Sequence, residues 1–143
     1  MSPPTPRRGP DSGTVTLTVL VMMLGFAAML GLLVDGNGRL DAREQADAIA
    51  QQAARAGGQA IDPGSAVAGG RIYVTPQSAA AAAQAYLHAQ HMTGTVTVSA
   101  NGETVTVTVS TTYTPLFLSA FGFGPWQVPG TGSATLVAGI TGP

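Results

Sequence analysis

The chain has no cysteine and no lysine, and only 9% of its 143 residues are charged, against about 25% in an ordinary soluble protein. Without cysteine there can be no disulfide staple, thiolate zinc site or thiol nucleophile, so stability must come from packing. The net charge is −1 and the arginines are scattered apart from the pair Arg7 and Arg8, which leaves no basic footprint for nucleic acid. There is no glycine-rich phosphate loop with a lysine and no Gly-x-Ser-x-Gly elbow. Beyond residue 47 the only acids are Asp62 and Glu103, both in predicted turns. His88 and His91 stand three apart, without a third ligand nearby, and read as surface residues. No catalytic residue, cofactor or metal site is expected, and the protein is read as not an enzyme.

What the chain does have is a long uncharged run. Met1 to Asp11 holds Pro3, Pro4, Pro6 and Pro10 and reads as a disordered tail (residues 1–11), but Ser12 to Val34 carries no charge at all. As a helix rising ~1.5 Å per residue, residues 12–34 span about 34 Å, enough for a hydrocarbon core of roughly 30 Å. A cleavable secretory signal would have a shorter apolar region and a small-x-small site, and Gly31-Leu32-Leu33-Val34-Asp35 offers none. The expected form is a single-pass protein of the cytoplasmic membrane, with the short tail inside and the longer C-terminal part outside. Within the run, Gly25, Ala27, Ala28 and Gly31 form a small-residue face on which another helix can pack.

Asp35-Gly36-Asn37-Gly38 has the look of a calcium loop. It fails that test because Arg39, Leu40 and Ala46 stand where an oxygen ligand, glycine and glutamate are needed. Asp35 reads instead as the polar stop at the membrane boundary. Residues 35–61 form an alanine-rich amphipathic helix, with Ala42, Ala46, Ile49, Ala53 and Ala56 on one stripe and an Arg43–Asp47 pair on another face. The stripe can lie on the chain's own sheet or on neighbouring subunits, and Gly36 and Gly38 offer a place for a kink.

Residues 62–143 read as a small α+β domain, one helix packed on a three- to four-stranded antiparallel sheet. Arg71 to Val74 is a short strand candidate after the Asp62-Pro63-Gly64 turn. Thr75-Pro76 supplies a cap and first-turn proline for a helix reaching about Met92, with Gly94 as its stop. Thr95 to Ser99 and Thr104 to Val109 alternate valine with hydroxyl residues around Asn101-Gly102. A two-residue turn there sets Val98 opposite Val105 and Val96 opposite Val107. A further strand is expected near Ser133 to Ile140. Leu116 to Trp126 is the densest aromatic cluster, with Phe117, Phe121, Phe123 and Trp126. The favoured reading has it closing the core; the other has it as an exposed loop meeting a partner or the membrane surface.

The run from Gly31 to Ala50, Gly-Leu-Leu-Val-Asp-Gly-Asn-Gly-Arg-Leu-Asp-Ala-Arg-Glu-Gln-Ala-Asp-Ala-Ile-Ala, followed by Ala53-Ala54-Arg55-Ala56-Gly57-Gly58, resembles the TadE/TadG-like proteins of tight-adherence (Flp) pilus assembly. The likeness covers about residues 11 to 60, and the rest is consistent with the lysine-free, Ala/Gly/Thr-rich versions found in actinobacteria. It implies a minor pilin or pseudopilin-like component of the pilus or a related secretion apparatus. Its implied partners are the cytoplasmic membrane and other pilus-assembly or pilin-like proteins, further copies of itself among them. Prepilin-peptidase substrates carry a glutamate five residues after the processed glycine. Gly9 is followed by Pro10, and Thr18 stands five past Gly13, so an uncleaved, permanently anchored form is expected. The alternative is an anchored extracytoplasmic binding module unrelated to pili.

Overall fold

The computed structural model describes residues 11–60 and 74–136. Residues 1–10 of the proline-rich tail, the Asp62-Pro63-Gly64 turn, all but Val74 of the first strand candidate and the end of the last one lie outside these residues, and Asp11, expected in the tail, begins the first helix. The architecture is α+β. A 48-residue helix α1 (Asp11–Gly58) is followed by helix α2 (Pro76–Ala89), strands β1 (Gly94–Val98) and β2 (Thr104–Tyr113), a 3-10 turn at Leu118–Phe121, and strand β3 (Trp126–Thr135). The strands form one antiparallel sheet in the order β1-β2-β3.

The apolar run and the alanine-rich segment are one helix, unbroken through Gly36 and Gly38. No break arises where the sequence offered one: the Tyr113 ring of β2 packs directly on Gly38, so the sheet already holds the helix there. Side chains on residues 13–34 are exposed apart from Gly31, while Ala46, Ala50, Ala53 and Ala54 are fully buried. The helix is therefore bare over its first half and core over its second.

β2 is the central strand, and its period-2 alternation sends Val105, Val107 and Val109 into the core together with Leu87, Ala79 and Ala83 of α2. Val96 faces Val107 and Val98 faces Val105, the register expected from the valine alternation. The loop that makes this hairpin is longer than the expected two residues. Ser99 and Thr104 still pair, and Gly102, at φ 70°, returns its N–H to the Ser99 carbonyl. β3 begins at Trp126, well before the expected Ser133, and pairs with β2 from Tyr113↔Trp126 to Thr104↔Thr135. Its inward face is Val128, Gly130, Gly132 and Ala134, so α1 crosses it almost backbone to backbone.

Among the described residues β3 is an edge strand, and α1 occupies its outer side. Asp47 accepts from the Thr131 N–H (2.8 Å), while Gln51 donates to the Ser133 carbonyl (2.9 Å) and accepts from its N–H (3.3 Å). Asp47 also meets Arg43 at 3.7 Å, the pair expected from their spacing, although both side chains are largely exposed. Thr75 and Ser78 form a reciprocal capping box at the start of α2. α2 ends at Ala89 rather than Met92. His91 takes a left-handed conformation (φ 55°) and the Met92 N–H reaches back to the Leu87 carbonyl, so Gly94 starts β1 instead of stopping the helix.

Candidate functional site

The sheet's lower end and the bare half of α1 meet at Asp35, whose side chain is buried at 2% exposure. Its Oδ1 accepts from the Leu116 N–H (2.6 Å) and its Oδ2 from the Leu118 N–H (2.7 Å), while both oxygens lie 3.1 Å from the Phe117 nitrogen. The Tyr113 hydroxyl donates at 3.4 Å. Burial works against the carboxylate, but the N–H groups of Leu118, Phe117 and Leu116 and the Tyr113 hydroxyl outweigh it and hold its pKa below the ordinary value. The Tyr113 hydroxyl is pushed up by its own burial, by the Asp35 charge and hydrogen bond, and by the more distant Asp41. Asp35 is thus a helix residue that caps a remote turn. It is not simply a polar stop, and the sequence around it is helix rather than a cation loop.

The Phe117 ring lies directly on Gly31, and no side chain would fit between them. Phe121 packs on Phe117 with ring centres 5.3 Å apart. On the other side Tyr113 and Trp126 face each other at 6.4 Å, and the Arg39 guanidinium sits 5.6 Å over the Trp126 ring. The aromatic segment therefore does not close the core. Leu116 is 76% exposed, Phe121 67% and Phe123 53%. The core is filled instead by valine, alanine and leucine, with the inner glycines of β3 against α1. Serine in place of Phe121 should accordingly leave the thermal midpoint of the full chain in detergent nearly unchanged, within about ±0.5 kcal/mol of stability. A cooperative loss of structure in that variant would show that the ring is core after all.

The residues expected to form a packing face divide among different surroundings. Gly25, Ala27 and Ala28 are exposed, and Gly31 is covered by Phe117. Ala46 and Ala53 are buried against the chain's own domain, with Ala42 and Ile49 half-buried beside them. His88 and His91 are exposed, and no three His, Cys, Asp or Glu residues converge among the described residues. Sequence reasoning missed the Asp35 cap, the Tyr113 hydroxyl beside it and the two glycines of β3. The one available signal was that the first charge after a long apolar run is an acid followed by residues that continue a helix.

Among the described residues one helix is long and apolar enough to cross a membrane. No protein-family model matches the chain, and neither a curated protein nor a solved structure matches it.

Proposed function

We propose that the protein is a membrane-anchored, pseudopilin-like component of a Flp/Tad-type pilus or related secretion apparatus. On this reading α1 is anchored in the cytoplasmic membrane with the N-terminus inside and the sheet domain outside, and the protein acts by helix packing and protein contacts rather than by catalysis. The observation that carries it is the divided helix: 48 residues in one piece, bare and apolar in the first half, locked under a sheet in the second. Lipid-facing or bundle-facing helix and outward domain are thereby joined without a hinge. The exposed small residues Gly25, Ala27 and Ala28 give neighbouring helices a surface for close approach. The likeness of residues 31–58 to TadE/TadG-like proteins points the same way.

The anchored binding module has one observation in its favour, an open pocket lined by Gly36, Arg39, Leu40, Arg43, Val128 and Pro129, where two arginines could meet an anion. Shearing cells and probing pilus and membrane fractions, with N-terminal sequencing of the recovered chain, separates the two. The pilus reading expects either recovery with sheared filaments or loss of filaments on deletion. Recovery in membranes alone, with filaments intact in the deletion strain, would leave the binding module.

A further inference from the structure

We propose that residues 116–123 form a second membrane contact, a loop lying in the headgroup–acyl boundary beside α1, with lipid as its occupant. This rests on the reading of α1 as a membrane span. Depth is the first reason. The loop is tied to α1 at Asp35 by three backbone bonds and at Gly31 by the Phe117 ring, which places it where the uncharged run ends at Val34. Gly31 lies one turn below Asp35, about 6 Å along the axis, within the ~5–10 Å to which interfacial segments enter.

Chemistry is the second. No charged residue follows Glu103 in the chain. Leu116, Phe121 and Phe123 are exposed, as are Leu30, Leu33 and Val34 of α1, and Phe121 stacks on the Phe117 ring that covers Gly31. Backbone polarity, which excludes most loops from lipid, is answered internally for most of the loop's N–H groups. Asp35 takes the N–H groups of Leu116, Phe117 and Leu118. Those of Ala120, Gly122 and Phe123 go to the carbonyls of Phe117, Ser119 and Leu118, and the Ser119 hydroxyl donates to the Leu116 carbonyl. Immediately beyond stand Tyr113, Trp126 and Arg39, amphipathic side chains of the kind that collects at headgroup level. Two contacts, a span and a loop to one side of it, would fix the rotational setting of α1 about its own axis, which a lone helix leaves free.

Because the chain contains no cysteine, single labels are unambiguous. The full chain would be reconstituted in phosphatidylethanolamine–phosphatidylglycerol vesicles with a fluorophore at Leu116→Cys, Phe121→Cys, mid-span Val19→Cys, or Ala100→Cys. Ala100 sits in the far hairpin loop, roughly 30 Å from Tyr113 along β2. Lipids carrying a spin-label quencher near the headgroup should quench both loop positions strongly, deeper quenchers should act on Val19, and Ala100 should be unaffected. Quenching at Val19 with none at Leu116 or Phe121 overturns the loop contact and leaves the span standing. No quenching at Val19 overturns both. Loop labels that quench one another between copies, and not by lipid, would assign the surface to a second copy and also overturn the proposal.

Discussion

Valine in place of Gly132 is expected to be the most damaging single change in the folded domain. A Cβ at this position would fall on the Ala50 carbonyl carbon and the Gln51 nitrogen, and at Gly130 it would fall on the backbone of Ala46 and Asp47. Backbone cannot rotate aside as a side chain can, so α1 must lift off β3. The bonds from Asp47 and Gln51 to the outer side of β3 would be lost in the same movement. Overpacking in well-filled cores costs about 1–3 kcal/mol, and a clash against the backbone of α1 belongs at or beyond the top of that range. For a domain of this size each kcal/mol lowers the melting midpoint by roughly 4–8 °C. Circular dichroism of the full chain in detergent measures it, with Gly124→Ala as the control, since nothing lies within 4 Å of a Cβ there. Equal midpoints for Gly132→Val and the unaltered chain would mean that the helix does not press on this strand.

Asp35→Ala is expected to free the aromatic loop while leaving the sheet intact. Three N–H groups would lose their acceptor at once. Amide-exchange protection at Leu116 to Leu118 should fall at least about tenfold, with β2 protection little changed. The same contact makes a pH prediction. The folded carboxyl titrates below its ordinary value of 3.8, so its contribution is fully present above that value and fades as pH falls through the lower, folded-state value. The amide shifts of residues 116–118 should therefore titrate with a midpoint below 3.8. In Asp35→Asn that titration should vanish. A midpoint at or above the ordinary value would show that the hydrogen bonds do not outweigh burial.

Local patterning made the β1–β2 hairpin legible. Valine alternation on both sides of Asn101-Gly102 set the register without reference to anything distant. The long helix was legible too, since apolar length and alanine spacing are properties of consecutive residues. β3 was hidden for a physical reason. A strand that a helix crosses at backbone distance needs glycine on its inner face, and an edge strand can hold Pro129, so Trp126 to Gly132 has the composition of a loop. Asp35 was hidden differently. An acid after an apolar run looks the same whether it faces water or grips amides some eighty residues away. The aromatic segment was ambiguous because hydrophobicity states that water is avoided, not what replaces it.

The grip of Asp47 and Gln51 on β3 has a bearing on self-association. A peptide arriving alongside that strand would find the Thr131 and Ser133 amides already engaged, by side chains one helical turn apart. Polymerisation by strand donation is blocked along this flank, so if copies of the chain join end to end or side by side, their contacts must be sought elsewhere on the molecule.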